Sequence, residues 1–420
     1  MNRSVPVGGR LPVEHFLRNG AGAIAILALL LAPVDAAAEN WPDFRGPAGD
    51  GHSTETNVPV NWSEQKNIRW KMPLPGKGWS TPIITGNEIW LTTATDDNRS
   101  LRVLAIDATK GAILRNVEVF RLPSTFRGHE KNSGASPSVL IEGDRVYAHF
   151  GSYGTACLRR DGTVLWRNAD LKFFQVHGPG GSPVLFEDLI IFNADGNDIQ
   201  FVAALNKDTG KIVWRAPRPS AMAYSTPLII RTPAGPQLIS TGANRAWSYD
   251  PRSGKPLWWV NYEGFSNVPR PVFAHGMVYL CTGFYTPNLL AVRVDGSGDV
   301  TATHIVWRAT RGVPLTPSPI VVNEFVYIVN DSGIASCYDA KTGKEQWRQR
   351  LPGTYSASPV FASAKIYFLN ENGQTTVIAS GGDFKKLASN TLEGEFLSSM
   401  GVSGRAFFHR SATHLYRIEE

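Results

Sequence analysis

Apolar residues in this chain gather in short runs, among them Ile89-Trp90-Leu91, Val146-Tyr147-Ala148, Leu189-Ile190-Ile191-Phe192, Val278-Tyr279-Leu280, Val326-Tyr327-Ile328 and Ile366-Tyr367-Phe368. Gly, Pro, Asn and Asp interrupt the chain between them. Aromatic and β-branched side chains fit a pleated surface, and such frequent punctuation leaves little room for helices. The pattern therefore predicts many short strands joined by turns.

Two further signals recur in step with these runs. A small residue with Pro opens an apolar strand, the last Pro falling at 82, 137, 183, 227, 271, 319 and 359, with a worn copy at Ser398-Ser399-Met400. A turn with Gly is followed four residues later by Trp in Asp208–Trp214, Asp250–Trp258 and Asp339–Trp347. Gly162 to Trp166 keeps that gap, Gly111 to Arg115 keeps it without the Trp, and a longer turn from Asp295 to Thr303 precedes Trp307. The Pro intervals of 40 to 55 residues match one propeller blade each. Eight strand sets can be counted. The last stops at Leu415-Tyr416-Arg417-Ile418 without an outer strand, while Ile68-Arg69-Trp70-Lys71 is a Trp strand without a set. The expected fold is an all-β, eight-bladed β-propeller over 68–420. An N-terminal strand completes its last blade and closes the ring, which leaves only short protected edges. Trp70, Trp166, Trp214, Trp258, Trp307 and Trp347 are expected to dock neighbouring blades.

The first 38 residues differ from the rest. Arg3, Arg10 and Arg18 precede an apolar run from Ala21 to Ala32, followed by Ala36-Ala37-Ala38. A basic start, a short apolar core and an A-x-A site describe a secretory signal, with cleavage expected before Glu39. The run is too short for a membrane span of about 20 residues, and no Cys follows it to accept a lipid. Residues 39–67 are then an N-terminal extension. The net charge of +6 falls to +5 without the leader, and no basic stretch with interleaved aromatics suggests nucleic acid. Cys157, Cys281 and Cys337 lie far apart in apolar runs and read as buried thiols, although the sequence leaves one disulfide among them open.

The D-x-T-G-K-x-x-W turn and its repeats resemble the PQQ-like (pyrrolo-quinoline quinone) repeat family over 68–420, which implies a quinoprotein-type propeller. Trp41-Pro42-Asp43-Phe44-Arg45-Gly46-Pro47-Ala48-Gly49-Asp50-Gly51 looks like the start of exported members described as similar to the outer-membrane assembly factor BamB. The resemblance covers two branches, quinone-dependent alcohol dehydrogenases and non-catalytic assembly scaffolds, so fold alone does not choose a function. The dehydrogenase branch implies PQQ capped by a disulfide of adjacent cysteines, a Ca²⁺ on oxygen ligands and a carboxylate base. This chain has no adjacent cysteines and its blades are compact. The expected protein is a monomer without a cofactor, periplasmic or otherwise exported and soluble after cleavage, that presents a channel mouth to a protein or small-molecule ligand. The alternative is a quinoprotein oxidoreductase using PQQ and Ca²⁺.

Inner strands of a propeller converge on the axis, so residues just before each small-residue–Pro strand are the ligand candidates: His129, Glu130, Lys131, Asn132, His177, Arg270 and Tyr355, with Tyr224 and Asn267 beside them. Arg270, stiffened between two prolines, suits a carboxylate contact or a blade-to-blade ion pair. Asp195, in the turn Asn193-Ala194-Asp195-Gly196-Asn197-Asp198, is the candidate metal ligand, although the turn lacks full calcium-loop spacing. No catalytic motif stands out.

Overall fold

A computed structural model describes residues 39–125 and 128–420. The leader therefore lies outside the described residues, as does Arg127 of the polar loop before the second blade. Eight antiparallel sheets follow one another around a ring, seven of them with four strands and one with a fifth. Blade 1 is Ile83–Thr85, Glu88–Ala94, Ser100–Asp107 and Ile113–Arg121, running from the axis outwards. The inner strands of the next seven blades begin at Leu140, Val184, Leu228, Val272, Ile320, Val360 and Gly401. Blade 8 takes its outer strand from the N-terminal side: Ile68–Pro73 pairs antiparallel with His414–Ile418, setting Trp70 opposite Arg417. The ring closes as the orphan Trp strand predicted. The fifth strand is Gly298–Asp299, which comes from the long turn of blade 5 and pairs in parallel with Trp258 and Trp259 of blade 4.

The Gly-to-Trp repeat is explained by the joints between blades. The indole N–H of one blade donates to a carbonyl in the next blade's turn: Trp70 to Ala108, Trp166 to Lys207, Trp214 to Pro251 and Trp307 to Ala340, at 2.8–3.2 Å. The same indoles lie against Gly111, Gly210, Gly254 and Gly343, each in the left-handed region. A Cβ on Gly254 or Gly343 would come within 2.6 Å of the ring. Glycine is thus needed twice over, for its backbone angle and for the space the Trp fills. In blade 1, Arg115 replaces the Trp and its Cδ covers Gly162. Trp258 turns instead to its own blade and donates to Gln237, because blade 5 has the long turn in place of the short one. Trp347 packs edge-on against Phe384 of blade 7 at 5.1 Å. The three cysteines are buried free thiols, and burial pushes the Cys157 thiol up to about 11.

Around the axis a second repeat appears. Thr81, Ser138, Ser182, Thr226, Arg270, Ser318, Ser358 and Ser399 each stand two residues before an inner strand. Six joints between them are the same hydrogen bond, a backbone N–H donating to the hydroxyl of the next blade: Thr81 to Ser138, Ser138 to Ser182, Ser182 to Thr226, Arg270 to Ser318, Ser318 to Ser358, and Ser358 to Ser399. This register makes Val139, not Pro137, the blade 2 counterpart of the strand-opening prolines, so the Pro count ran one blade two residues out of step.

Residues 39–67 are built into the ring. Residues 39–55 form a loop whose ends meet: Glu39 accepts from Ser53 Oγ at 2.6 Å and from the Thr54 N–H at 2.9 Å. Its middle crosses the axis beyond the hydroxyl circle. It bonds to Ile84 of blade 1, Ile141 of blade 2, Pro319 and Val321 of blade 6, and Phe361 of blade 7. Trp62 then packs against Tyr367 and Phe407 and fastens the rest of the segment to blades 7 and 8.

Candidate functional site

The loop closes one end of the axial channel, and the remaining space is a cavity of about 580 Å³. Phe44 forms its floor inside the circle of Ser and Thr residues, and the segments preceding the inner strands form its walls. Six of the seven hydroxyls accept one backbone N–H, and the seventh, Thr81 Oγ1, has no partner among the described residues. None of the seven hydroxyl protons has an acceptor among the described residues. The floor is therefore ringed with unused donors.

At the eighth position of the circle stands Arg270. Its Nε donates to Pro227 O at 3.1 Å, and its guanidinium reaches beneath the axis to Phe44 O and to the Asp43 carboxylate at 3.5 Å. Gly49 lies flat against that guanidinium with φ of +68°, so that a side chain there would displace it. Arg45 is buried as well and donates to Asp50 O and Pro319 O at 2.8 and 3.0 Å. Burial pushes Asp43 up to about 6 despite the opposing pull of Arg270, and pushes Arg45 down to about 9. The motif from Trp41 to Gly51 is thus a plug, and Arg270 is its anchor.

The other end is the mouth. The connection from blade 1 to blade 2 runs across it: Lys131 forms an ion pair of 2.7 Å with Glu371, in a hairpin of blade 7. On the same strap the His129 N–H and Asn132 Nδ2 both bond His177 O of the next connection. Partial burial opposes it, yet hydrogen bonds from Lys131, Ser356 and Thr354 hold Glu371 below the usual carboxylate range. The rings of His129 and His177 meet edge to face at 5.6 Å, and Tyr224 lies 5.8 Å beyond. Burial, then the charge of His129, lowers the His177 pKa and favours its neutral form. Neither ring nitrogen of His177 has a hydrogen-bond partner among the described residues.

The sequence candidates thus divide. His129, Lys131, Asn132, His177 and Tyr224 come together around the cavity. Glu130 is exposed beside the strap and does not face the cavity. Tyr355 is fully buried in the wall, and Asn267 is buried against Cys281 O. Asp195 lies in blade 3 in a fully buried ion pair with Arg218, whose Nε is 2.9 Å from Asp195 Oδ1; the carboxylate is committed there and not offered to a metal. Sequence reasoning missed the plug's Phe44, the hydroxyl circle and an aromatic lip. In that lip Phe265 stacks on Tyr285 at 4.9 Å and faces Phe284, and Tyr285 is 88% exposed with φ of +72°. The hydroxyl circle had a signal, since Ser or Thr precedes most of the strand-opening prolines.

Fold and site together define a PQQ-type β-propeller with a plugged axial cavity. A family model described as "Outer membrane protein assembly factor BamB" matches residues 53–172, 198–298 and 296–383, and the chain belongs to that family. The quinohemoprotein alcohol dehydrogenase ADH IIB of Pseudomonas putida is 24% identical over an alignment of 372 positions that covers 77% of this chain. The chain spans about half (52%) of that relative's length. Among solved structures, BamB from Moraxella catarrhalis superposes with a TM-score of 0.60 at 13% identity, over 84% of this chain and 96% of that one. A europium-containing methanol dehydrogenase gives 0.55 at 12% identity, over 89% and 90%. At these identities the superpositions speak for the fold alone.

A calcium-bound quinone draws on several oxygen ligands at the axis, from carboxylates, amides, carbonyls or water, together with a carboxylate base. Among the described residues the cavity lining offers one carboxylate, Asp331, whose Oδ2 accepts the Leu315 N–H at 2.7 Å. Among the described residues no three His, Cys, Asp or Glu side chains gather as a metal site. One carboxylate is a sparse donor set for that group.

Proposed function

We propose that this protein is an exported, non-catalytic binding propeller, whose axial cavity receives a small ligand or a projecting side chain of a partner protein. The observation that carries this reading is the cavity itself. It is plugged at one end by the chain's own loop, walled by Phe265, Phe284, Leu315 and Leu397, and floored by hydroxyls whose protons have no acceptor among the described residues. Such a site favours an occupant with an apolar body and acceptor oxygens at its tip. Export follows from the leader-like first 38 residues. Among the described residues no helix is long and apolar enough to cross a membrane. The BamB-type relatives favour a protein partner, and the mature chain acts as a monomer.

The Pseudomonas relative favours a second reading, a quinoprotein oxidoreductase loaded with PQQ and Ca²⁺. Both readings meet in one pair of experiments. The tagged protein is used to capture partners from envelope extract, and separately is titrated with micromolar PQQ and Ca²⁺ while dye-linked alcohol oxidation is followed. A specific envelope partner and no dye reduction are expected. Saturable PQQ binding with turnover would overturn the non-catalytic reading.

A further inference from the structure

The plug loop begins and ends on one carboxylate. Glu55 Oε1 accepts the backbone N–H of Glu39 at 2.8 Å and that of Gly404 at 2.7 Å, while Oε2 accepts from the Arg405 N–H at 3.2 Å. Gly404 and Arg405 form the tight turn between the first two strands of blade 8, both in the left-handed region. Ser403 of the same turn donates its hydroxyl to Glu39 O at 2.6 Å. The Glu39 carboxylate in turn binds Ser53 and Thr54, two and one residues before Glu55. Every polar group of Glu39 is thus taken, and its nitrogen points at a half-buried carboxylate.

The residue before that nitrogen is Ala38, the last of Ala36-Ala37-Ala38. An amide N–H makes one neutral hydrogen bond to Glu55. A chain that starts at Glu39 has an ammonium in its place, and charge-assisted hydrogen bonds are roughly twice as strong as neutral ones. We infer that Glu55 is the receptor for the mature N-terminus: leader removal between Ala38 and Glu39 creates a charged end that Glu55 clamps onto blade 8, locking the plug under the axial cavity. The inference rests on the export reading proposed above. The step is peptide hydrolysis by a signal peptidase. Water's oxygen joins the Ala38 carbonyl carbon, the C–N bond breaks, and both of water's protons end on the Glu39 nitrogen, leaving an Ala38 carboxylate and a Glu39 ammonium.

This arrangement ties processing to the site. The floor of the cavity, Phe44, is carried by the loop that Glu55 closes. An uncleaved or over-trimmed chain keeps its blades but holds its floor more weakly. Local opening of this loop, not global unfolding, is the quantity that changes.

The test has two arms. The full precursor is expressed in a Gram-negative host and the exported protein is weighed intact; a mass beginning at Glu39 is expected, and any other start overturns the assignment. In the second arm the mature chain 39–420, which contains all eight blades, is produced with a free Glu39 amine and with a Gly-Ser extension ahead of it. Limited proteolysis within residues 39–55 should be about fivefold slower for the free amine. Glu55→Gln should erase the difference between the two forms while leaving global unfolding nearly unchanged. Equal proteolysis rates sink the ammonium contact. A precursor that stays in the cytoplasm sinks the export reading and the processing step with it, so the two failures are told apart.

Discussion

At the floor of the axial cavity three charged groups, Asp43, Arg45 and Arg270, are spent on the protein itself: they hold the plug against blades 4, 5, 6 and 7. At the mouth, His177 has no partner for either ring nitrogen among the described residues, and Tyr285 stands almost fully exposed in a backbone conformation unusual for its type. The two ends teach opposite lessons about polar residues near an axis. A buried charge that finds its partner inside the chain is architecture, however suggestive its sequence setting. A group left without a partner, or held in strain at a rim, is where a ligand is to be sought.

The sharpest attack on this contrast is Arg270→Ser, which gives blade 5 the residue type its neighbours have. If the floor is architecture, the variant completes the hydroxyl circle yet loses about 2–4 kcal/mol in urea unfolding, because the Pro227 and Phe44 carbonyls lose their donor and the partly exposed Asp43 its cation. Little loss would mean that the plug holds without its anchor. Asp43 gives a smaller effect with a definite sign. Its pKa in the folded protein, about 6, lies above the ordinary carboxylate value near 3.9, so the native state binds the proton more tightly than the unfolded chain. The contribution is fully present at low pH and is lost as pH rises through about 6. Relative to Asp43→Asn, the wild-type stability should therefore fall by about 2 kcal/mol between pH 4 and pH 7. At the mouth, Lys131→Ala breaks a partly exposed ion pair, and a cost of only about 0.5–1 kcal/mol is expected from the same unfolding curves.

The same contrast explains what could be read from the sequence. The ring, its eight sectors and its closure by Trp70 were legible because each depends on a repeat: the Gly that meets a Trp and the strand that lacks a set. The mouth was half legible, since connections before inner strands must reach the axis, and five of the candidates do. Arg270 and Asp195 look in sequence like residues that meet ligands, and only coordinates reveal Asp43 and Arg218 as their partners. Both pairings join residues whose meeting no repeat or periodicity specifies: Arg270 with a loop 227 positions away, and Asp195 with an arginine one strand pair on. Tyr355 failed for a simpler reason, as its side chain turns into the wall between blades 6 and 7.

The smallest change in stability belongs to Tyr285, and its sign is the informative part. Asn tolerates a positive φ better than Tyr, so Tyr285→Asn relieves backbone strain worth about 1 kcal/mol. It also removes a ring that stacks on Phe265 at 4.9 Å but is 88% exposed, so little burial is lost. A net change between zero and a gain of about 1 kcal/mol is expected from thermal unfolding, together with a several-fold drop in partner captured from envelope extract. If Tyr285 served only to pack the lip, the outcome would reverse: stability would fall and capture would stay. A residue whose removal stabilises the fold and weakens binding is held in place by what it binds, and that distinction separates the mouth of this cavity from its floor.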